Sequence, residues 1–120
     1  MKYYLSRKNL HIIYHFLFNK ISFIYMINIR QIFSEIHTKN IVIIDVRTHE
    51  EHTQISIPNT LHIPLDELEN RLHELEKFEK VYFFCKAGMR AGVASGIAKN
   101  KGINCEQISQ GVFEISSILY

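Results

Sequence analysis

The feature that most narrows the fold is Ile41-Val42-Ile43-Ile44, four consecutive β-branched apolar residues that stop at Asp45. A half-exposed strand alternates apolar and polar side chains, whereas a strand covered on both faces reads as an unbroken apolar run. A second such run, Val81-Tyr82-Phe83-Phe84, stops at Cys85. Two strands of this kind need layers on both sides of a sheet, and the segments between them must supply those layers.

Those segments carry helical periodicity. Ile29, Ile32, Phe33 and Ile36 fall at i, i+3, i+4 and i+7, which predicts a helix with one buried face and Asn28 as its N-cap. Thr48-x-x-Glu51 reads as a capping box that opens a short helix. Pro58 and Pro64 bracket a segment that cannot be helical. Leucines 65, 68, 72 and 75 predict a second amphipathic helix, with Asp66, Glu67 and Glu69 near its positive end. A small-residue helix is expected from Met89 to Asn100, stopped by Gly102, and a third strand around Asn104 to Ile108. Gly111 then turns the chain into a terminal segment, Val112 to Tyr120. Strands alternating with helices give an α/β fold with a mainly parallel central sheet flanked by helices. Periodicity does not give the strand order.

At 120 residues the chain has room for one core. A net charge of +2 is too small to argue for a nucleic-acid partner. Two cysteines, Cys85 and Cys105, form no disulfide framework, and no Cys/His spacing resembles a zinc site. A reducing, cytoplasmic setting is the expectation.

Residues 1–25 differ from the rest. They carry Lys2, Arg7, Lys8 and Lys20, no acid precedes Glu35, and without this leader the net charge becomes −2. His11, His15, Asn19 and Lys20 interrupt the apolar residues, no small-residue cleavage site follows, and the stretch is too short and polar to span a bilayer. Three readings stay open: a loosely docked helix, a basic membrane-surface helix, or a mistaken start with Met26 as initiator. The last is favoured, because the domain pattern begins just after Met26 and the domain is then 26–120. His11 and His15 stand at i, i+4 without a Glu between them or a third ligand, so no metal role is expected.

Chemistry is concentrated where the apolar runs end. Ligands in open α/β sheets collect outside the carboxyl ends of strands, and the amides of a strand-to-helix turn point at an anion in the loop. Cys85 opens such a loop, followed by Lys86, Ala87, Gly88, Met89 and Arg90, and the amides with the two cations favour thiolate over thiol. Cys105 has no basic neighbour but Lys101 and reads as a structural thiol. Asp45 and Arg47, after the first strand, are either catalytic or an ion pair that orients the loop, the pair being the favoured reading. His49, His52, His62 and His73 read as scattered, exposed residues, with only His62 near the site by position.

Taken in order, these motifs resemble those of the rhodanese-like sulfurtransferases, over about Met26 to Phe113. Asp45-Val46-Arg47 with Glu51 is similar to the family's first motif. Ile57 to Pro64 is similar to its Ile-Pro-Gly-Ala-x-Asn-Ile-Pro stretch, and Cys85 to Arg90 to its active-site loop. The chain departs from the pattern at Ile55-Ser56 (Gly-His), Asn59 (Gly), Ala91 (Ser) and Gln110 (the first of a Gly-Gly pair), and lacks a Trp near its C-terminus. The resemblance implies a rhodanese-like fold and a single-domain sulfurtransferase of the thiosulfate type. Cys85 would take sulfane sulfur from a small donor as a persulfide and pass it to a thiol, cyanide or a protein acceptor, with no metal or organic cofactor.

Two other readings stand beside this one. A persulfide carrier or binding module would use the same cysteine without rapid turnover. Cysteine phosphatases and arsenate reductases place five residues between Cys and Arg, where this loop has four, and the tighter ring suits a sulfur better than a tetrahedral oxyanion.

Overall fold

The computed structural model describes residues 29–120 together with Ile13 and Leu17, both helical and exposed. The expectations for the leader, the Asn28 cap and the His11/His15 pair lie outside the described residues. Residues 29–35 are helical (α1). There follow β1 (Ile41–Asp45), α2 (His49–Gln54), β2 (Leu61–His62), α3 (Leu68–Arg71), β3 (Lys80–Phe84), α4 (Met89–Asn100), β4 (Cys105–Gln107) and α5 (Val112–Leu119). The four strands form one parallel sheet in the order β2-β1-β3-β4. β1 and β3 occupy its middle, in register from Ile41 opposite Lys80 to Asp45 opposite Phe84, so their carboxyl ends lie side by side.

The unbroken apolar runs serve two cores. Val42, Ile44, Val81 and Phe83 face one side with Leu68, Leu72, Leu75 and the alanines of α4. Ile43 and Phe84 face the other with Ile29, Ile57, Val112 and Ile115. Alternate residues of one strand therefore go to opposite layers, and every second side chain is apolar on both faces. Ala91, Ala94 and Ala98 are fully buried and let α4 lie close to the sheet. Truncating Ile43, buried at the centre of β1, is expected to cost about 2–5 kcal/mol.

Two expectations need correction. The leucine segment is not one helix: 3-10 turns at Leu65–Glu67 and Leu72–Leu75 flank the short α3. The leucine spacing of three at either end suits a 3-10 turn, where i and i+3 eclipse, and still buries Leu68, Leu72 and Leu75. The stretch between the prolines is non-helical as expected, but it holds the edge strand β2, which pairs with Ile44 and Asp45. A two-residue strand is too short for any periodicity to reveal. In the turn just before β2, Asn59 adopts φ 65°, a left-handed conformation that Asn tolerates, which accounts for its standing where the resembled pattern has Gly.

Candidate active site

The first strand-end loop is held by an ion pair taken wholly out of water. Asp45 and Arg47 are buried, and the carboxylate accepts from Arg47 Nη2 at 2.8 Å and Nε at 3.1 Å and from the Arg47 backbone amide at 2.9 Å. Arg47 Nη2 also donates to the carbonyl of Ile55, at 2.6 Å, and its Nη1 to that of Glu51, at 3.3 Å. Arg47 thus clamps the C-terminal end of α2 to the end of β1, and its planar fork suits that task. The geometry is that of a loop-orienting pair.

The second loop is built around a sulfur. Cys85 follows β3, and its carbonyl accepts from Val112 N at 2.9 Å, which ties the loop to α5. Gly88 takes φ 97°, a left-handed turn that reverses the chain and starts α4. That helix has no side-chain oxygen at its N-cap. Its orphan amides turn instead to Cys85 Sγ, with Gly88 N at 3.0 Å and Ala91 N at 3.4 Å. The sulfur therefore occupies the place of an N-cap acceptor, at the positive end of a 12-residue helix. Both donors aim their hydrogens at sulfur, an arrangement that stabilises negative charge there.

Of the other loop residues, Lys86 and Ala87 are exposed, Gly88 is buried, and Met89 is 83% exposed. Arg90, expected as a cation close to the sulfur, is itself paired with a carboxylate. Its Nη1 and Nη2 donate to Glu51 Oε1 and Oε2 at 2.5 and 3.0 Å. This pair, helped by the Thr48 capping contacts, holds the Glu51 carboxyl down at about 2, and Glu51 raises the Arg90 guanidinium in turn. Glu51 also accepts from Thr48 N at 3.2 Å, so one carboxylate closes the capping box and bridges the two strand-end loops.

The histidines are less dispersed than their sequence positions suggest. His52 and His62 stack with ring centroids 4.1 Å apart, His49 meets His62 edge-on at 4.9 Å, and His62 Nε2 lies 2.7 Å from the Arg47 carbonyl. Pairing of β2 beside β1 brings them together, and only His73 keeps the isolated, exposed character expected of all four. Burial and then the neighbouring His62 push His52 below its ordinary range. Among the described residues no group of three or more His, Cys, Asp or Glu side chains is placed to hold a metal ion.

Beside the loops lies a cleft of about 450 Å³ lined by Val46, Thr48, His49, Pro64, Leu65, Asp66 and Arg90. Its lining is mostly apolar, and Asp66 and Arg90 are among its polar residues. Cys105 lies elsewhere, buried beneath α4 with its Sγ donating to Ser95 O at 3.4 Å. Among the described residues no helix is long and apolar enough to cross a membrane.

Sequence reasoning missed two neighbours of the loop. Gly111 packs against it so closely that a Cβ there would stand 1.7 Å from the Lys86 carbonyl oxygen. Gln107 reaches from β4 to donate to Gly88 O at 2.6 Å. The bridging role of Glu51 was also hidden, since a capping box explains its presence without Arg90.

Residues 30–117 match the family model described as Rhodanese-like domain. The "Putative sulfur carrier protein YrkF" of Bacillus subtilis (strain 168) is 40% identical over 60 residues, which cover 50% of this chain and 32% of that protein. The "Sulfurtransferase" of Allochromatium vinosum is 29% identical over 65 residues, covering 54% of this chain and 61% of that one. Among solved structures, the human single-domain sulfurtransferase TSTD1 superposes with a TM-score of 0.64 at 26% identity, covering 73% of this chain and 91% of that chain. The chain spans about a third to three fifths of the length of the curated relatives it matches. These names support sulfur transfer as the general chemistry, and the four-stranded parallel sheet flanked by helices agrees with the neighbours' fold. With the match running from α1 through both strand-end loops into α5, the chain belongs to the rhodanese-like domain family.

Proposed function

We propose that this protein is a sulfurtransferase that moves sulfane sulfur from a small donor, of which thiosulfate is the simplest, to a thiol or cyanide through a persulfide on Cys85. The observation that carries the reading is the placement of Cys85 Sγ at the N-terminus of α4, with Gly88 N and Ala91 N directed at it. In the first half the thiolate attacks the outer sulfur of thiosulfate, a Cys85 sulfur–sulfur bond forms, and sulfite leaves with the electrons of the broken bond. In the second half an acceptor thiolate attacks the outer persulfide sulfur, and Cys85 leaves as the thiolate with which the cycle began. Negative charge stays on sulfur throughout, so fixed amide donors stabilise it without reorganisation. Neither half calls for a metal or an organic cofactor.

Roles follow from position. Cys85 is the nucleophile. Lys86, Ala87, Gly88 and Met89 form the loop that receives donor and acceptor, Arg90 shapes its lip through Glu51, and Asp45 with Arg47 hold the adjoining loop. The apolar cleft beside Arg90 offers the acceptor's organic part a surface. The partners are a small donor and a thiol acceptor, which a protein thiol can replace. The net charge of +2 is too small to argue for a nucleic-acid partner. A reducing, cytoplasmic setting goes with this chemistry because it keeps Cys85 from a disulfide.

A second reading has one observation in its favour: similarity to a protein named as a sulfur carrier. In that case Cys85 accepts sulfur from a partner and holds it. Incubation of the protein with thiosulfate, followed by the mass of the Cys85 peptide, and then with thiosulfate and cyanide together, followed by the rate of thiocyanate formation, decides between them. A one-sulfur adduct with steady turnover is expected. An adduct without turnover would replace the enzyme by the carrier, and the absence of any adduct on Cys85 would remove the thiosulfate-using enzyme.

A further inference from the structure

The side chain of Gln107, an exposed residue at the end of β4, lies along a slot that two glycines leave in the first turn of α4. Gly88 and Gly92 stand one turn apart, and a Cβ on either would crowd the Gln107 amide, at 3.2 Å from Nε2 and 3.1 Å from Oε1 respectively. In that slot Gln107 Nε2 donates to Gly88 O at 2.6 Å, while Gly92 N donates to the same oxygen at 3.0 Å. Both lone pairs of the Gly88 carbonyl are thus used, one by the helix and one by a side chain from the neighbouring strand. The strand end is fixed in its turn, because Gln107 lies opposite Phe83 and Ile108 N donates to Phe83 O at 2.8 Å.

Gly88 is also the residue whose N–H points at Cys85 Sγ from 3.0 Å. Its left-handed conformation leaves the loop without the backbone preference that an ordinary residue supplies. Something other than local propensity has to hold that amide on the sulfur. We infer that Gln107 is a positioning residue for the nucleophile: by gripping Gly88 O it keeps the Gly88 N–H aimed at Cys85 Sγ and so favours the thiolate and its persulfide. This rests on reading Cys85 as the nucleophile, but it concerns the sulfur's environment rather than turnover.

The test is the pH profile of alkylation at Cys85 in the full chain, followed by the mass of the Cys85 peptide so that Cys105 does not contribute. Gln107→Met fills the slot with a side chain of similar length and no donor. Its profile is expected to move to higher pH by about half a unit, roughly threefold slower alkylation at neutral pH, with its thermal midpoint close to the parent's. Gln107→Glu turns an oxygen towards Gly88 O and is expected to move the profile further in the same direction. Gln110→Met, a neighbouring change outside the slot, leaves it in place. A Gln107→Met profile that superimposes on the parent's overturns the inference, as does an equal shift in Gln110→Met. If Gln107→Met fails to fold, Gln107→Glu decides alone, with an unshifted profile counting against. Retained sulfur transfer in Cys85→Ser would instead overturn the nucleophile assignment, whatever Gln107 does.

Discussion

Cys85, just past the end of β3, and Cys105, the first residue of the adjacent β4, are both almost fully buried, and they face opposite chemistry. Cys85 Sγ is an acceptor, with two helix amides turned towards it. Cys105 Sγ is a donor, its hydrogen directed at the Ser95 carbonyl. An amide hydrogen stabilises a thiolate, whereas a carbonyl oxygen repels one and holds the thiol. Burial is common to both and separates nothing; the polarity of the nearest backbone groups does. That polarity follows from topology, since Cys85 lies beyond the carboxyl end of β3, where a helix begins, and Cys105 lies at the start of β4, beneath the flank of α4.

The comparison breaks first on the simplest substitutions. Cys85→Ser is expected to abolish sulfur transfer, while Cys105→Ser keeps most of it and loses only a little stability, as serine can still donate to Ser95 O. Thiocyanate formation on both variants checks this, and equal loss in the two would show that facing groups do not distinguish them. Next in size is Gly111→Ala. Its new methyl cannot coexist with the Lys86 carbonyl 1.7 Å away, so the Cys85 loop has to move. We expect more than tenfold loss of transfer, with the environment of Cys105 unchanged by amide exchange around β4.

Arg90→Ala has a smaller effect than a free counter-charge would predict. The amides on the sulfur remain, but Glu51 is left unpaired at the lip of a loop that must hold negative charge. A loss of several-fold in transfer rate is expected, and Arg90→Ala with Glu51→Gln should recover part of it because the stranded carboxylate is gone. No recovery in the double variant would mean that Arg90 acts on the sulfur directly.

The Cys85 loop was legible in the sequence but the contacts that support it were not, for a physical reason. An apolar run covered on both faces and a cysteine at its end are local features, so β1, β3 and the Cys85 loop could be read from consecutive residues. The contacts that shape the loop join residues far apart: Gln107 to Gly88 across 19 positions and Arg90 to Glu51 across 39. Each depends on which strands are neighbours, and periodicity is silent on that. The histidine group was misread for the same cause, as His62 reaches His49 and His52 only because the two-residue β2 joins the edge of β1. The leucine segment failed differently, since spacings of three and four fit an α-helix and a chain of 3-10 turns alike.

The smallest effect separates the two sulfurs by pH. Glu51 titrates at about 2 in the folded protein against an ordinary 4.5, so the folded state favours its charged form through Arg90. That contribution is present in full above about pH 4.5, falls as pH drops towards 2 and is gone below it. With 27% of the Glu51 side chain exposed, solvent screening reduces it to about 1 kcal/mol. Because the pair bridges α2 to the Cys85 loop and does not touch β4, its loss should loosen one sulfur and not the other. With a disulfide reagent that works in acid, the rate at Cys85 relative to Cys105 is expected to rise as pH falls from 4.5 to 2. Glu51→Gln, with the same two thiols and no carboxyl to titrate, should show a raised ratio already at neutral pH and a flatter dependence below 4.5. A ratio in the parent as flat as in that variant would mean that the amides and Gly111 hold the Cys85 loop without help from the Arg90–Glu51 bridge.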